Sequence, residues 1–448
     1  MMLGDKRGGV TVRIQPKPLL IAFSLVAIAA SSLFAAQLLF QEPPPAQVME
    51  EEWLEWAKTA WKYFERGVGV DSNTGLNYGV STWHRLTDWD LGVYIEAILS
   101  AEKLGILPPD GAWGSTERIN KILRFLETRP IRKDRLPYLQ YDAETGRVPD
   151  DMHPSDWGRL LLALDDLIHA KPALENMTTS VVARHGTEGL AESAYFETLD
   201  IYPFYVAQGY RAFGYNTPKL EDIVTLMGGS KVEVYGLTLP KVRITSDPLL
   251  LAVLEARSNE TYRTCADRAY EAQKRRHEVT GILTAFGEGS YPNEPYYAYE
   301  WIVTAEGAQW VIRTDKEVEG PEVLYTKIAF AMHAIYSDDY TAQLVAKVSP
   351  LASDNGFYEG IVSDGSVLKI LSDKTNSMIL QAAVYAIRGP QAHDLGPTGM
   401  VPQGIVKDRS QMPTARFLQR ESAFQDPMLH ESGSSKGLSE RVRLHALR

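Results

Sequence analysis

From Glu51 to about Gly389, apolar residues recur every three or four positions, a spacing that keeps one face of an α-helix apolar. The clearest segments are Glu51–Arg66, Asp90–Leu104, Thr116–Thr128, Asp156–Ile168, Glu197–Phe213, Pro248–Arg257, Thr261–His277, Glu322–Ser337, Thr341–Ser349 and Lys374–Arg388. Several stop where helices should: Gly105, Pro130, Gly214 and Gly389 follow the last periodic residue. Strand-like material is sparse. Val232–Thr245, interrupted by Gly236 and Pro240, reads as an extended or hairpin insertion, and Ala298–Thr304 with Trp310–Arg313 bracket a turn at Glu306-Gly307. So many helices broken by short loops point to helix-on-helix packing. The pattern D-x-x-T-G occurs twice, at Asp71–Gly75 and Asp142–Gly146, and each copy fits a reverse turn.

The N-terminus reads differently. Lys6, Arg7, Arg13 and Lys17 (within 1–18) precede an uncharged apolar run, 19–40, long enough for one bilayer-spanning helix of about 20 residues. Basic residues before the run, and Glu42 and Glu50–Glu52 after it, predict a cytoplasmic N-terminus and an extracytoplasmic bulk. A signal peptide cut near Ala30 or Ser32 is the other reading. A Pro-rich linker, 41–50, leads into the globular part, 51–389. The rest, 390–448, turns to Gly, Pro, Ser and Gln with scattered charge and is expected to be poorly ordered.

Composition narrows the chemistry. The chain has 448 residues, is 44% hydrophobic and carries a net charge of −11, so it can bury a large core but does not suit nucleic acid. Its one cysteine, Cys265, forms neither an intramolecular disulfide nor a thiolate metal site. The histidines are scattered without ligand spacing, and no metal or cofactor is expected. Gly433–Gly437 spells G-x-S-x-G but lacks the strand and helix that a nucleophile elbow needs.

What remains is carboxylates beside aromatic residues. Asp88-Trp89-Asp90, with Tyr94 one turn on, opens one predicted helix, and Asp156-Trp157 opens another. A third cluster spans Glu288, Tyr299, Glu300 and Trp301; a fourth holds Glu192, Tyr195, Glu197, Asp200, Tyr202 and Tyr205. Sugar rings lie on flat aromatic faces, and cleaving a glycosidic bond takes two carboxyl groups, one of them protonated. Burial beside aromatics supplies that proton by raising a carboxyl pKa. Glu288 between Gly287 and Gly289 has room to approach a substrate. Each group also has a plainer reading: Asp90 and Asp156 as helix caps, Trp89 and Trp157 as core, Glu197 and Glu300 as solvated charges.

The order of several short motifs resembles a family of bacterial envelope proteins of unknown function that are described as glucoamylase-like. The likeness runs through Asp71–Gly75, Trp89-Asp90-Leu91-Gly92, Thr145-Gly146, Ser155-Asp156-Trp157-Gly158, Asp247-Pro248, Thr280–Ala285 with Glu288, Thr326–Phe330, Asn355–Gly360 and Thr375-Asn376. It implies an all-α (mainly) fold, an (α/α)6 toroid with short β-hairpin insertions, related to glucoamylases and β-1,2-glucan-acting glycoside hydrolases. It implies an envelope polysaccharide or oligosaccharide as ligand and a polysaccharide synthesis complex as a partner, while the N-terminal helix adds the inner membrane. Carried onto this chain, Glu288, Asp90 and Asp156 become the cleft carboxylates, lined by Trp89, Tyr94, Trp157, Tyr299, Trp301 and Asn376. Relatives often carry Tyr-Glu-x-Tyr-Ala where this chain has Tyr202-Pro203-Phe204-Tyr205, so either Glu197 or Glu192 stands in from nearby or this copy has lost a catalytic group. The expected chemistry is glycoside hydrolysis or transglycosylation with Glu288 as general acid and Asp90 or Asp156 as base; a non-catalytic glycan-binding or scaffold subunit is the alternative.

Overall fold

The helices, in chain order, are α1 (Pro45–Trp61), α2 (Asp88–Lys103), α3 (Ser115–Thr128), α4 (Pro154–Ala170), α5 (Glu175–Arg184), α6 (Thr187–Ala191), α7 (Tyr202–Ala212), α8 (Ile223–Gly228), α9 (Ser246–Leu254), α10 (Glu260–Thr280), α11 (Thr326–Tyr336), α12 (Asp339–Val348) and α13 (Asp373–Arg388). This computed structural model describes residues 45–146, 152–220, 222–294, 296–314 and 319–389. The apolar run 19–40 and the segment 390–448 lie outside them. Among the described residues no helix is long and apolar enough to cross a membrane. By contacts the chain divides into Met1–Glu51 and Glu52–Arg448, and everything below concerns the second unit.

Six helices close into a ring. α2 packs on α4, α4 on α7, α7 on α9, α9 on α11, α11 on α13, and α13 returns to α2. Their sequences explain their place. In α2 fourteen of sixteen residues are buried, and every residue of α9 is buried; helices apolar all round belong inside. α3, on the outside of α2, instead buries one stripe of Arg118, Ile119, Ile122, Leu123 and Leu126. α10 lies against α9, and α12 against α11, in the same way. The inner helices approach closely at Gly209, where an added Cβ would come within 2.3 Å of the Gly158 carbonyl.

Short strands decorate this frame. β1 (Arg85–Thr87) pairs with β2 (Gln140–Asp142), and β3 (Lys231–Val234) with β4 (Leu237–Pro240), the expected hairpin. β5 (Glu288–Ser290), β6 (Tyr297–Val303) and β7 (Gln309–Thr314) form an antiparallel sheet that contains the second expected hairpin. β8 (Val323–Tyr325) pairs with β11 (Gly360–Val362), which also pairs with β12 (Val367–Leu368), while β9 (Ala352–Ser353) and β10 (Gly356–Phe357) form a small hairpin. The two D-x-x-T-G turns are built alike. Asp71 Oδ1 accepts from the Asn73 and Thr74 amides, and Asp142 Oδ1 from those of Glu144 and Thr145. Thr74 Oγ1 then donates to the Ala143 carbonyl at 2.8 Å, tying one turn to the other.

Three sequence expectations shift. The helix expected from Glu197 begins at Tyr202, because Pro203 lacks an N–H and fits only the first turn; Glu197 itself ends a separate 3-10 turn, Ala194–Glu197. The helix expected from Glu322 begins at Thr326, because Val323–Tyr325 pair with Gly360–Val362 instead. Glu288 sits on a strand rather than in a loop. The helices α5, α6 and α8 were not predicted.

Candidate active site at one end of the ring

The first turns of all six ring helices meet at one end. Trp89 (α2), Asp247 (α9), Lys327 (α11), Lys374 (α13) and Glu288 line a common gap of about 10 Å³, room for roughly one water molecule. Asp156 (α4) is close enough to feel the charges of Asp88, Asp90, Glu288 and Lys374. Tyr202 (α7) packs its ring edge-on to Trp89 at 5.9 Å and feels Glu288 and Asp247. Helix N-termini carry partial positive charge, which favours the acids gathered there.

Each carboxylate is held differently. Asp90 is N3 of a capping box: Oδ2 accepts from the Thr87 amide at 2.8 Å and the Thr87 hydroxyl at 3.1 Å, while Oδ1 takes Lys374 Nζ. Thr87, and neither Asp88 nor Asp90, is therefore the N-cap. Asp88 is buried against Arg129. Asp247 holds Lys327 Nζ with Oδ1 and the Glu288 amide, at 2.9 Å, with Oδ2. Lys374 also lies 3.8 Å from Asp373. The lysine charges are thus committed to Asp90, Asp373 and Asp247.

Among the described residues, Glu288 and Asp156 form no ion pair. Burial, then the negative charge of Asp247, raises the Glu288 carboxyl to about 7, partly offset by Lys327, Lys374 and the nearby Tyr202 hydroxyl. Asp156 is partly exposed, and among the described residues no hydrogen bond or ion pair reaches its carboxyl. Burial, then the charges of Asp90 and Asp88, pushes its pKa well above the usual carboxylate range, with Lys374 opposing. His153, not Asp156 or Ser155, caps α4. Two carboxyl groups with raised pKa, one of them partly open to solvent, can supply acid–base chemistry.

An aromatic wall stands beside them. Tyr297, Tyr299 and Trp301 alternate along β6, with Tyr299 stacked on Trp301 at 5.6 Å and 9°. Glu288 is the direct cross-strand partner of Tyr299, so both project from one face of the sheet. Trp301 meets Tyr202 edge-on at 6.4 Å, and Tyr202 meets Trp89. The glycines flanking Glu288 make room for protein rather than substrate: a Cβ on Gly287 would lie 2.7 Å from Asp247 Oδ2, and one on Gly289 2.3 Å from the Tyr325 ring.

The ring end therefore gathers Glu288, Asp90, Asp156, Trp89, Tyr299 and Trp301, but not the other predicted positions. Glu197 is exposed and pairs with Lys219 at 3.1 Å, and Glu192 is exposed too. Tyr94 is wholly buried, stacked on Phe64, its hydroxyl taken by Arg118 at 2.7 Å. Trp157 is wholly buried and donates Nε1 to Thr187 Oγ1 at 3.1 Å. Asn376 is buried and satisfies the amide and carbonyl of Phe357. These three side chains hold the core and do not line the site. Asp247, Lys327 and Lys374 escaped prediction as site residues, and Tyr202 was named only within the fourth cluster. The signal that found Asp90, a polar residue opening a buried helix, is present at each of them. Farther along the same helices, Glu96, Arg159, Glu255 and Tyr205 form a second buried polar layer that braces the ring.

Comparison with solved structures shows the same fold. An endo-β-1,2-glucanase from Chitinophaga pinensis, solved with sophorotriose and glucose, superposes with a TM-score of 0.54 at 12% identity, covering 78% of this chain and 94% of that one. A Talaromyces funiculosus endo-β-1,2-glucanase bound to β-1,2-glucan gives 0.56 at 11%, covering 78% and 87%. A Bacteroides uniformis protein proposed to be a glucoamylase gives 0.56 at 12%, covering 78% and 93%. The mainly helical ring is thus of glucoamylase-like type. Comparison with curated proteins gives no match. A family profile matches residues 55–389, and the chain belongs to that family, described as protein of unknown function, DUF3131.

Proposed function

We propose that this chain is a glycoside hydrolase-like protein that cleaves an envelope or extracellular polysaccharide between Glu288 and Asp156. The observation that carries the reading is Glu288 set beside the Trp89–Tyr202–Trp301–Tyr299 wall, with Asp156 near enough to feel its charge. Glu288 donates its proton to the leaving glycosidic oxygen as the C–O bond breaks. Asp156, in the molecules where it is ionised, takes a proton from water, whose oxygen bonds to the anomeric carbon. Asp90, engaged by Thr87 and Lys374, positions the site and is not the base. The fold of the β-1,2-glucanases supports a glycan substrate, and the uncharged run 19–40 behind basic residues supports an anchor that leaves the ring outside the cytoplasm.

Release of reducing ends from linear glucans by the full-length chain tests this. Wild type should release them and Glu288→Gln should lose at least about 100-fold, as expected for removal of a general acid; equal release by both refutes the assignment. A second reading, glycan binding without cleavage as part of a polysaccharide synthesis complex, is favoured by the narrow gap beside Glu288 and by Pro203. Retention on insoluble polysaccharide with no product formed would select it.

A further inference from the structure

We propose that the gap beside Glu288 holds one ordered water molecule, shared by Lys327, Gln381 and the Glu288 carboxyl, and that Gln381 thereby acts as a positioning residue for Glu288. The gap is lined turn by turn: Asp247, Lys327 and Lys374 come from first turns of ring helices, Val93 and Leu251 from second turns, and Gln381 from the third turn of α13. Its volume of about 10 Å³ suits a single water.

Two buried polar groups on its wall lack enough protein partners. Gln381 is 6% exposed, and its Oε1 accepts no hydrogen bond. Ser377 orients this amide. The Ser377 hydroxyl gives its proton to the Val93 carbonyl at 2.9 Å, so it can only accept from Gln381 Nε2, 3.5 Å away, which leaves Oε1 for the gap. Lys327 is 1% exposed and carries three N–H donors, yet among the described residues it reaches one acceptor, Asp247. A buried ammonium needs its remaining donors satisfied. One water meets both needs. Its oxygen accepts from Lys327, one hydrogen goes to Gln381 Oε1, and the other goes to the Glu288 carboxyl. Three bonds are the usual complement of a buried water. The hydrogen given to Glu288 favours the ionised carboxylate and fixes which way the group turns. The part this plays in glycan cleavage rests on the proposed function; the water site itself does not.

Two measurements on the full-length chain test this without any glycan. A high-resolution crystal structure of the wild type should show one water within hydrogen-bond distance of Lys327 Nζ, Gln381 Oε1 and Glu288; a dry gap would overturn the proposal. Gln381→Met keeps the side-chain length but removes the amide acceptor, so the water loses its anchor. The Glu288 pKa, read by carboxyl carbon NMR, should then rise by about one pH unit, as expected for losing one hydrogen bond to a charged group. Asp247, Lys374, Asp156, Tyr202 and Tyr297 also face Glu288, and the exchange alters none of them. A merely structural Gln381 would change the melting temperature and leave that pKa in place, so an unmoved or lowered value would overturn the positioning role. If the variant does not fold, the wild-type structure decides. Finding the water and the pKa rise in a chain that cleaves no glycan would sustain this inference and overturn the proposed function; cleavage by a chain with a dry gap would do the reverse.

Discussion

The peptide N–H of Glu288 donates to Asp247 Oδ2 at 2.9 Å, while Lys327 holds the other oxygen of that carboxylate. The negative charge of Asp247 is therefore fixed beside the Glu288 carboxyl, where after burial it is the largest influence raising the pKa. Asp247→Asn removes that charge and frees Lys327, and both changes favour ionised Glu288. Its pKa, read by carboxyl carbon NMR, should fall below the wild-type value near 7; an unchanged or higher value contradicts the pairing.

Glu288 also makes folding stability pH-dependent. Its folded pKa is raised to about 7 from the ordinary glutamate value of 4.5, so the folded state holds the proton more tightly than the unfolded one. The stability it contributes is fully present below about 4.5 and is lost as pH rises through about 7. Glu288→Gln should accordingly raise the melting temperature relative to wild type at pH 8 and leave it nearly unchanged at pH 4. A variant less stable at pH 8 would contradict this.

Arg129 and Asp88 form a wholly buried pair, and Arg129 also contacts His185, whose pKa burial and this guanidinium push down to about 2. Arg129→Leu leaves the Asp88 charge without a partner and should cost about 3–5 kcal/mol in urea unfolding. Adding Asp88→Leu should recover much of that loss.

Gly289 admits the Tyr325 ring where a Cβ would come within 2.3 Å. Gly289→Ala should destabilise by about 1–3 kcal/mol through overpacking, with Tyr325→Ala in the same chain easing the clash. An alanine tolerated at no cost would show that the strand and ring move apart freely.

Tyr94 and Asn376 separate core from site. Tyr94→Phe removes a partner of Arg118, and Asn376→Ala frees two backbone groups of Phe357. Each should cost about 1–3 kcal/mol of stability with glycan affinity unchanged in the folded protein. A selective loss of affinity would return them to the site.

The sequence made much of the frame legible because helical periodicity survives in α2, α3, α4, α10 and α13, and the two hairpins announced themselves through turn residues. Boundaries failed where a local rule yielded to another: Pro203 delayed α7, and the pairing of Val323–Tyr325 with β11 delayed α11. Within the site, Asp90, Asp156 and Glu288 were readable as acids beside aromatics. Their different duties were not, because Lys374 and Asp247 reach Asp90 and Glu288 from distant segments; Lys374 lies 284 residues from Asp90, and Asp247 lies 41 residues from Glu288. Tyr94, Trp157 and Asn376 misled because an aromatic or amide one turn from a site acid looks the same in sequence whether it faces the ring's mouth or its core. Glu197 misled because the helix expected to carry it starts five residues later.

Glycan cleavage by wild type, Glu288→Gln, Asp156→Asn and the double variant is the most direct measurement. Two carboxyl groups acting on one bond should give single losses of at least about 100-fold, and a double loss no larger than the worse single. Full activity in either single variant, or losses that simply multiply, would mean that Glu288 and Asp156 do not act as a pair.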